Sequence, residues 1–392
     1  MSINIFRLVL NPQTESLAPY PMEELARIKR ELLADGKKVY NFGTGDPTIP
    51  VWDAITDAIK AGVSSISQYP SILGLPELQQ AHESYLHRRF GIQAGDSLMT
   101  LPTRGSKEAV FHIALSIVGR AGGRKRIIYP DPGYPVYRSS TIFAGGIPHP
   151  IQLKEEDSYL LTPWTLPEGL VNETAAIWVN YPHNPTGAIA DQAYWKKLIS
   201  WAHSNDIIIL SDDCYADIYD DSLDPPINPL TVSKEGILSF LSLSKRSGLT
   251  GYRAGFIAGD PKILKPHARA RANFGLANPT HIQKGSIVAW NDDAHVQQRR
   301  KLFAERMNIL APFLIEKGIL KAKPLATFYL WCQVPKKYSG NDIEFCLQLA
   351  KQGIIASPSS WLSEGVKGYF RLALVPSAQE TEDAKRILCD FL

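Results

Sequence analysis

The chain has 392 residues, 44% hydrophobic and 21% charged, enough for two domains and too apolar for a disordered chain. Lys plus Arg number 42 against 39 Asp plus Glu, and a formal charge of +3 argues against a nucleic-acid binder while leaving room for buried anion sites. No apolar run approaches the roughly 18 residues of a membrane span. Cys214, Cys332, Cys346 and Cys389 show no C-x-x-C spacing, so neither a disulfide framework nor a metal site is expected.

The opening MSINIFRLVLNPQTES lacks a basic leader with a long apolar stretch, and a cytoplasmic location is expected. Residues 1–45 carry little pattern beyond a helix near 22–34. They are expected to form an N-terminal arm and part of a small domain. From 46 to 290, short apolar runs alternate with amphipathic stretches. The runs begin at Arg126, Ala175, Asp206, Ile237 and Gly255; helices are expected over 106–119, 134–144 and 191–204. β-branched runs bounded by turn residues are how strands covered on both faces look, so a mostly parallel sheet flanked by helices is expected. Residues 291–392 change texture: a long charged helix over 292–317, strand-like ATFYLWCQV, a helix over 342–352 and a strand from Tyr369. These read as a smaller α+β domain.

Ligands of open α/β sheets bind beyond the carboxyl ends of the strands. After the first run comes Pro130-Asp-Pro-Gly-Tyr134, after the second Asn180-Tyr-Pro-His-Asn-Pro-Thr-Gly187. The third ends in Asp212-Asp-Cys-Tyr215, and the fourth in Ser242-Leu-Ser-Lys245, with Arg253 eight residues on. Singly, each has an ordinary role as a turn, a cap or a surface charge. In this order they suit one aromatic, phosphorylated, carbonyl-bearing cofactor. A shielded lysine attacks an aldehyde as the neutral amine, and an aspartate beside a pyridine nitrogen keeps the ring protonated as an electron sink. Serines, an arginine and a helix N-terminus hold a phosphate.

SLSKRSGLTGYRAG resembles the lysine signature of the fold-type I pyridoxal-phosphate enzymes, specifically the class I/II aminotransferases. HNPTG, Asp212 with Tyr215, and Arg371 in YFRLALV keep that family's order over nearly the whole chain. The resemblance implies the type I fold and pyridoxal 5′-phosphate as cofactor. It makes Lys245 the Schiff-base lysine and proton shuttle, Asp212 the pyridine-nitrogen partner, and Tyr215 and Asn184 donors to the ring oxygen. Tyr134 would stack on the ring. Gly105, Ser106, Lys107, Ser242, Ser244 and Arg253 would hold phosphate. Arg371, Asn184 and the Gly45 loop would bind the substrate carboxylate. Tyr69 matches a tyrosine given to the neighbouring subunit's phosphate, which implies a homodimer with a shared site. Asp213 stands where Glu is common and Thr48 where an acid is frequent.

The implied reaction moves an amino group between an amino acid and a 2-oxo acid in ping-pong order, and NPQTESLAPYPMEELARIK is reminiscent of the diaminopimelate branch. Tyr20, Phe274 and Phe328 are candidates for side-chain selection. His183 and Cys214 read as structural, the latter as a small core filler. A β-lyase on the same fold is the alternative. A nicotinamide dehydrogenase lacks its third glycine, because position 48 is Thr. A DNA-binding regulator would need more than the 40-odd residues before the core.

Overall fold

The computed structural model of the chain describes residues 11–15, 21–119 and 123–392. Tyr20 lies outside the described residues. A two-residue strand β1 (Tyr40–Asn41) precedes a seven-stranded sheet. The sheet's strands are β2 (Met99–Thr103), β3 (Arg126–Asp131), β4 (Ile147–Gln152), β5 (Thr174–Val179), β6 (Ile208–Asp212), β7 (Ile237–Ser242) and β8 (Gly255–Gly259). Their order is β2-β8-β7-β6-β5-β3-β4, with β8 antiparallel to both neighbours and the remaining pairs parallel.

Successive residues of the central strands feed opposite cores, which is why these runs lack polar alternation. In β5, Trp178 packs with Leu210, Phe240 and the helix Ser106–Ile117, whereas Ile177 and Val179 pack with Trp195 and Ile209 on the other face.

Two strands escape the sequence pattern, and both are sheet edges. β2 contains Pro102, and β4, reading IPHPIQ, contains Pro148 and Pro150. Proline gives no ladder hydrogen bond, so it is tolerated at an edge and hides the strand from a pattern search. The direction of β8 is a second difference. The connection from Ser242 to Gly255 holds only the four-residue helix Leu243–Arg246, not the longer helix that usually carries a parallel return across the sheet face.

A second assembly contains β9 (Tyr329–Gln333), β10 (Ile354–Ile355), β11 (Ser357–Pro358) and β12 (Tyr369–Ala373). β11, β12 and β9 form an antiparallel sheet, and β10 pairs with β1. Its core unites Tyr40 and Phe42 with Phe303, Phe328, Leu330, Phe345 and Phe370. The long helix Ala294–Glu316 lies across it and contributes Phe303, Met307 and Leu310. Among the described residues no helix is long and apolar enough to cross a membrane.

Candidate active site

β3, β5, β6 and β7 are consecutive in the sheet, and the residues following them line a cavity of about 510 Å³. Asp212 is the last residue of β6. Its Oδ2 accepts from Tyr137 Oη at 2.7 Å, its Oδ1 from the Cys214 N–H at 3.3 Å, and its main-chain carbonyl from Asn180 Nδ2 at 2.6 Å. Burial raises the carboxyl above the usual aspartate range, while hydrogen bonds from Cys214 and Tyr137 and the charge of Lys245 oppose the rise. Asn180 Oδ1 in turn accepts the Asn184 N–H at 2.9 Å, which fixes the HNPTG loop against β6.

Lys245 points into the same cavity and donates its amine to the Gly45 carbonyl. Tyr215 lines the same cavity, its hydroxyl 2.8 Å from that of Tyr329. The Arg371 guanidinium stands 4.5 Å from the Tyr329 ring centroid. Arg371 Nη1 donates to Asn184 Oδ1 at 3.0 Å and Nη2 to the Gly43 carbonyl at 2.8 Å; Nε is buried with no partner.

At the opposite end, Gly105 precedes the helix Ser106–Ile117 with φ of 78°, a conformation that favours glycine. A Cβ there would lie 2.5 Å from Arg253 Nη2, so the missing side chain makes room for the guanidinium. Ser106, Lys107, Tyr134, Ser244 and Arg253 line the cavity. Ser242 does not; its hydroxyl caps the short lysine helix by accepting the Ser244 N–H at 3.1 Å. Tyr69 is fully exposed and does not enter this cavity.

Three readings change. Cys214 packs against the second core but also lines the cavity, its thiol donating to Ser106 Oγ at 3.0 Å. Phe328 is buried against Phe303, and Phe274 stacks on His112 with centroids 5.0 Å apart, so neither lines the cavity. The aromatic beside Arg371 is Tyr329, one residue along from Phe328. A strand's two-residue period puts Tyr329 on the face of Arg371 and Phe328 in the core, a signal present in ATFYLWCQV. Tyr137 and Asn180 position Asp212; Asn180 opens the stretch ending in Gly187, and Tyr137 lies in the helix expected over 134–144, but neither is assigned to the site from sequence.

A phosphorylated pyridine aldehyde fits this donor set. The buried Asp212 carboxyl would gain a cationic partner in a protonated ring nitrogen. A 12-residue helix offers its N-terminus beside Arg253, and Lys245 supplies an amine to the same cavity.

The description of aminotransferase class I and II matches residues 37–388. The chain belongs to this family and is a pyridoxal-phosphate-dependent aminotransferase. It is 34% identical to the LL-diaminopimelate aminotransferase of Aquifex aeolicus, over 95% of this chain and 96% of that one. It is 33% identical to LL-diaminopimelate aminotransferase 2 of Trichormus variabilis, covering 94% and 95%. The solved aminotransferase of Neisseria meningitidis superposes with a TM-score of 0.87 at 31% identity, covering 98% of this chain and 100% of that one. Aspartate aminotransferase of Thermus thermophilus reaches a TM-score of 0.90 at 21% identity, a likeness of fold alone. The relatives carry transamination and lend nothing to the β-lyase alternative.

Proposed function

We propose that the enzyme transfers the amino group of LL-diaminopimelate or a closely related dicarboxylic amino acid to or from a 2-oxo acid, in the cytoplasm and as a homodimer. The observation that carries the site is the convergence of Lys245, Asp212, Tyr215, Asn184, Arg253 and Arg371 on one cavity. The substrate class follows the printed activity of the relatives, together with the similarity across nearly the full length of both chains.

When bound, pyridoxal phosphate supplies an aldehyde that captures an amino group and a ring that takes up electron density. Asp212 would hold a proton at the ring nitrogen. Lys245 would take the proton from the substrate Cα onto its amine. Tyr215 and Asn184 would donate to the ring oxygen, and Tyr134 would lie against the ring. Ser106, Lys107, Ser244, Arg253 and the backbone at Gly105 would form the phosphate end, while Ser242 would act through the cap it gives the lysine helix. Arg371 forks onto the α-carboxylate, with Asn184 and the Gly45 loop beside it.

Tyr69 is proposed to serve the partner's phosphate site; with Val63 and Ile66 it forms an exposed apolar segment suited to contact with a second copy. Residues 1–45 and 291–392 are proposed to frame the large domain 46–290, a division supported by the pairing of β1 with β10.

The test is a panel of amino donors scored by conversion of the bound cofactor to its aminated form. LL-diaminopimelate should convert it fastest, with no pyruvate or ammonia released when no oxo acid is present. Faster conversion by monocarboxylic donors would refute the substrate class.

A further inference from the structure

Lys245 rides on a helix of only four residues, Leu243–Arg246, far too short to persist on its own propensity. Arg246, the next residue, is buried and anchors that helix from beneath. Its Nε donates to Asp217 Oδ2 at 2.9 Å and its Nη1 to the Ala289 carbonyl at 2.6 Å. Its Nη2 donates to the Asp292 carbonyl at 3.0 Å and to Asp293 Oδ1 at 2.5 Å. The Tyr85 and Trp290 rings lie 5.0 and 5.3 Å from the guanidinium carbon.

Asp217 sits two residues beyond Tyr215 and is equally buried. Its other oxygen accepts from Arg89 Nε at 2.8 Å, and Tyr85 Oη donates to Oδ2 at 2.8 Å. Burial by itself would raise this carboxyl, but Arg246 and Arg89 hold it below the ordinary range, so it stays charged. The pair therefore ties the segment carrying Asp212 and Tyr215 to the helix carrying Lys245.

A buried ion pair is a poor source of net stability, since desolvating both charges offsets most of their attraction; fixed geometry is the better-supported benefit. We propose that Arg246 is a positioning residue for amino transfer, and that its Nε bond to Asp217, with its terminal nitrogens held by Ala289, Asp292 and Asp293, sets the Lys245 amine relative to Asp212 and Tyr215. The proposal rests on the roles given above to Lys245 and Tyr215. Because a misplacement of about 1 Å costs on the order of a hundredfold in rate, the lock should act on turnover more than on binding.

The test compares Arg246→Lys, which keeps the charge and loses the guanidinium's spread of donors, with Asp293→Asn. The latter takes the charge from one half-exposed partner of Arg246, which Arg88 Nε also reaches at 3.2 Å, and strands no buried charge. Holoenzyme turnover is measured together with hydrogen exchange of the ligand-free chain over 243–250. Arg246→Lys should lower kcat by about tenfold or more with KM within about twofold, and speed exchange across that segment. Asp293→Asn should move both readouts less and in the same direction, which keeps the question answerable if Arg246→Lys does not fold. Variants that fold with wild-type kcat and wild-type exchange over 243–250 would overturn the lock, as would a rise in KM with kcat unchanged. An unaltered enzyme that forms no borohydride-trappable adduct at Lys245 would refute the site assignment instead, so the two failures are distinct.

Discussion

The Tyr215 and Tyr329 hydroxyls lie 2.8 Å apart, their rings edge-on with centroids at 5.5 Å. Tyr329 at the same time presents its ring to the Arg371 guanidinium at 4.5 Å. One side chain thus joins the residue proposed for the ring oxygen to the residue proposed for the substrate carboxylate. Burial, followed by the neighbouring Tyr329, raises the Tyr215 hydroxyl well above the ordinary tyrosine range, so it stays a donor at neutral pH.

Removing only the hydroxyl, Tyr329→Phe, should lower kcat/KM by about fivefold, the value of one hydrogen bond near 1 kcal/mol. Tyr329→Ala also removes the ring over Arg371 and should cost at least about tenfold more, with a raised KM for the amino acid. Steady-state kinetics with one donor decides the matter, and equal losses in the two variants would show that the ring contributes nothing.

Arg371 uses its two terminal nitrogens on Asn184 and Gly43, with a buried Nε left without a partner. Arg371→Lys keeps a charge but loses the planar fork. It should raise KM about tenfold or more for amino acid and 2-oxo acid alike, because both bind through a carboxylate at one site. A change confined to one of the two substrates would place the carboxylate elsewhere.

Lys245 donates to the Gly45 carbonyl and has no second lysine beside it in the cavity lining except Lys107. Lys245→Ala should abolish turnover while still permitting reversible binding of added pyridoxal phosphate. Turnover above about one thousandth of the unaltered enzyme would remove Lys245 from its role.

Much of this architecture was legible in the residues. The central strands are short, mostly apolar runs followed by polar residues, so Asp212, Asn184 and Lys245 could be placed at or beyond the carboxyl ends of neighbouring strands from the sequence alone. β2 and β4 were not legible, because edge prolines break the pattern that marks a strand. The antiparallel course of β8 depends on connection length rather than on its own sequence. Tyr329 and Tyr137 were missed for another reason: a tyrosine in an apolar run reads as core until the face it occupies is known. The partners of Arg246 lie 29 to 47 positions away, beyond the reach of local pattern.

Asp213 offers a test in pH. It is buried and accepts from Ser211 Oγ at 2.8 Å, from Ser239 Oγ, and from Asn228 Nδ2 at 3.1 Å. Burial pushes its pKa to about 7, against those hydrogen bonds and with the help of neighbouring Asp212. The unfolded chain titrates near 3.9, so between about pH 4 and 7 the folded state holds the extra proton. That contribution is complete below pH 4 and is lost as pH rises through 7. Asp213→Asn removes the slope, and its Tm relative to the unaltered chain should climb from pH 5 to pH 8. A difference that stays flat across that range would mean the carboxyl is already ionised at pH 5.

Gly45 tests the same cluster from the other side. A Cβ at this position would overlap the Tyr329 hydroxyl and lie 2.9 Å from its Cζ. Its φ is not positive, so the demand for glycine comes from the neighbouring ring and not from the backbone. Gly45→Ala must therefore push Tyr329 off Arg371 and away from Tyr215, and should lower kcat/KM by more than about tenfold. Adding Tyr329→Phe removes the atom nearest the new methyl. The double variant should lose less than the product of the two single losses, the sign of a shared steric conflict. Losses that simply multiply would show that the alanine acts through the Gly45 carbonyl on Lys245, independently of the tyrosine.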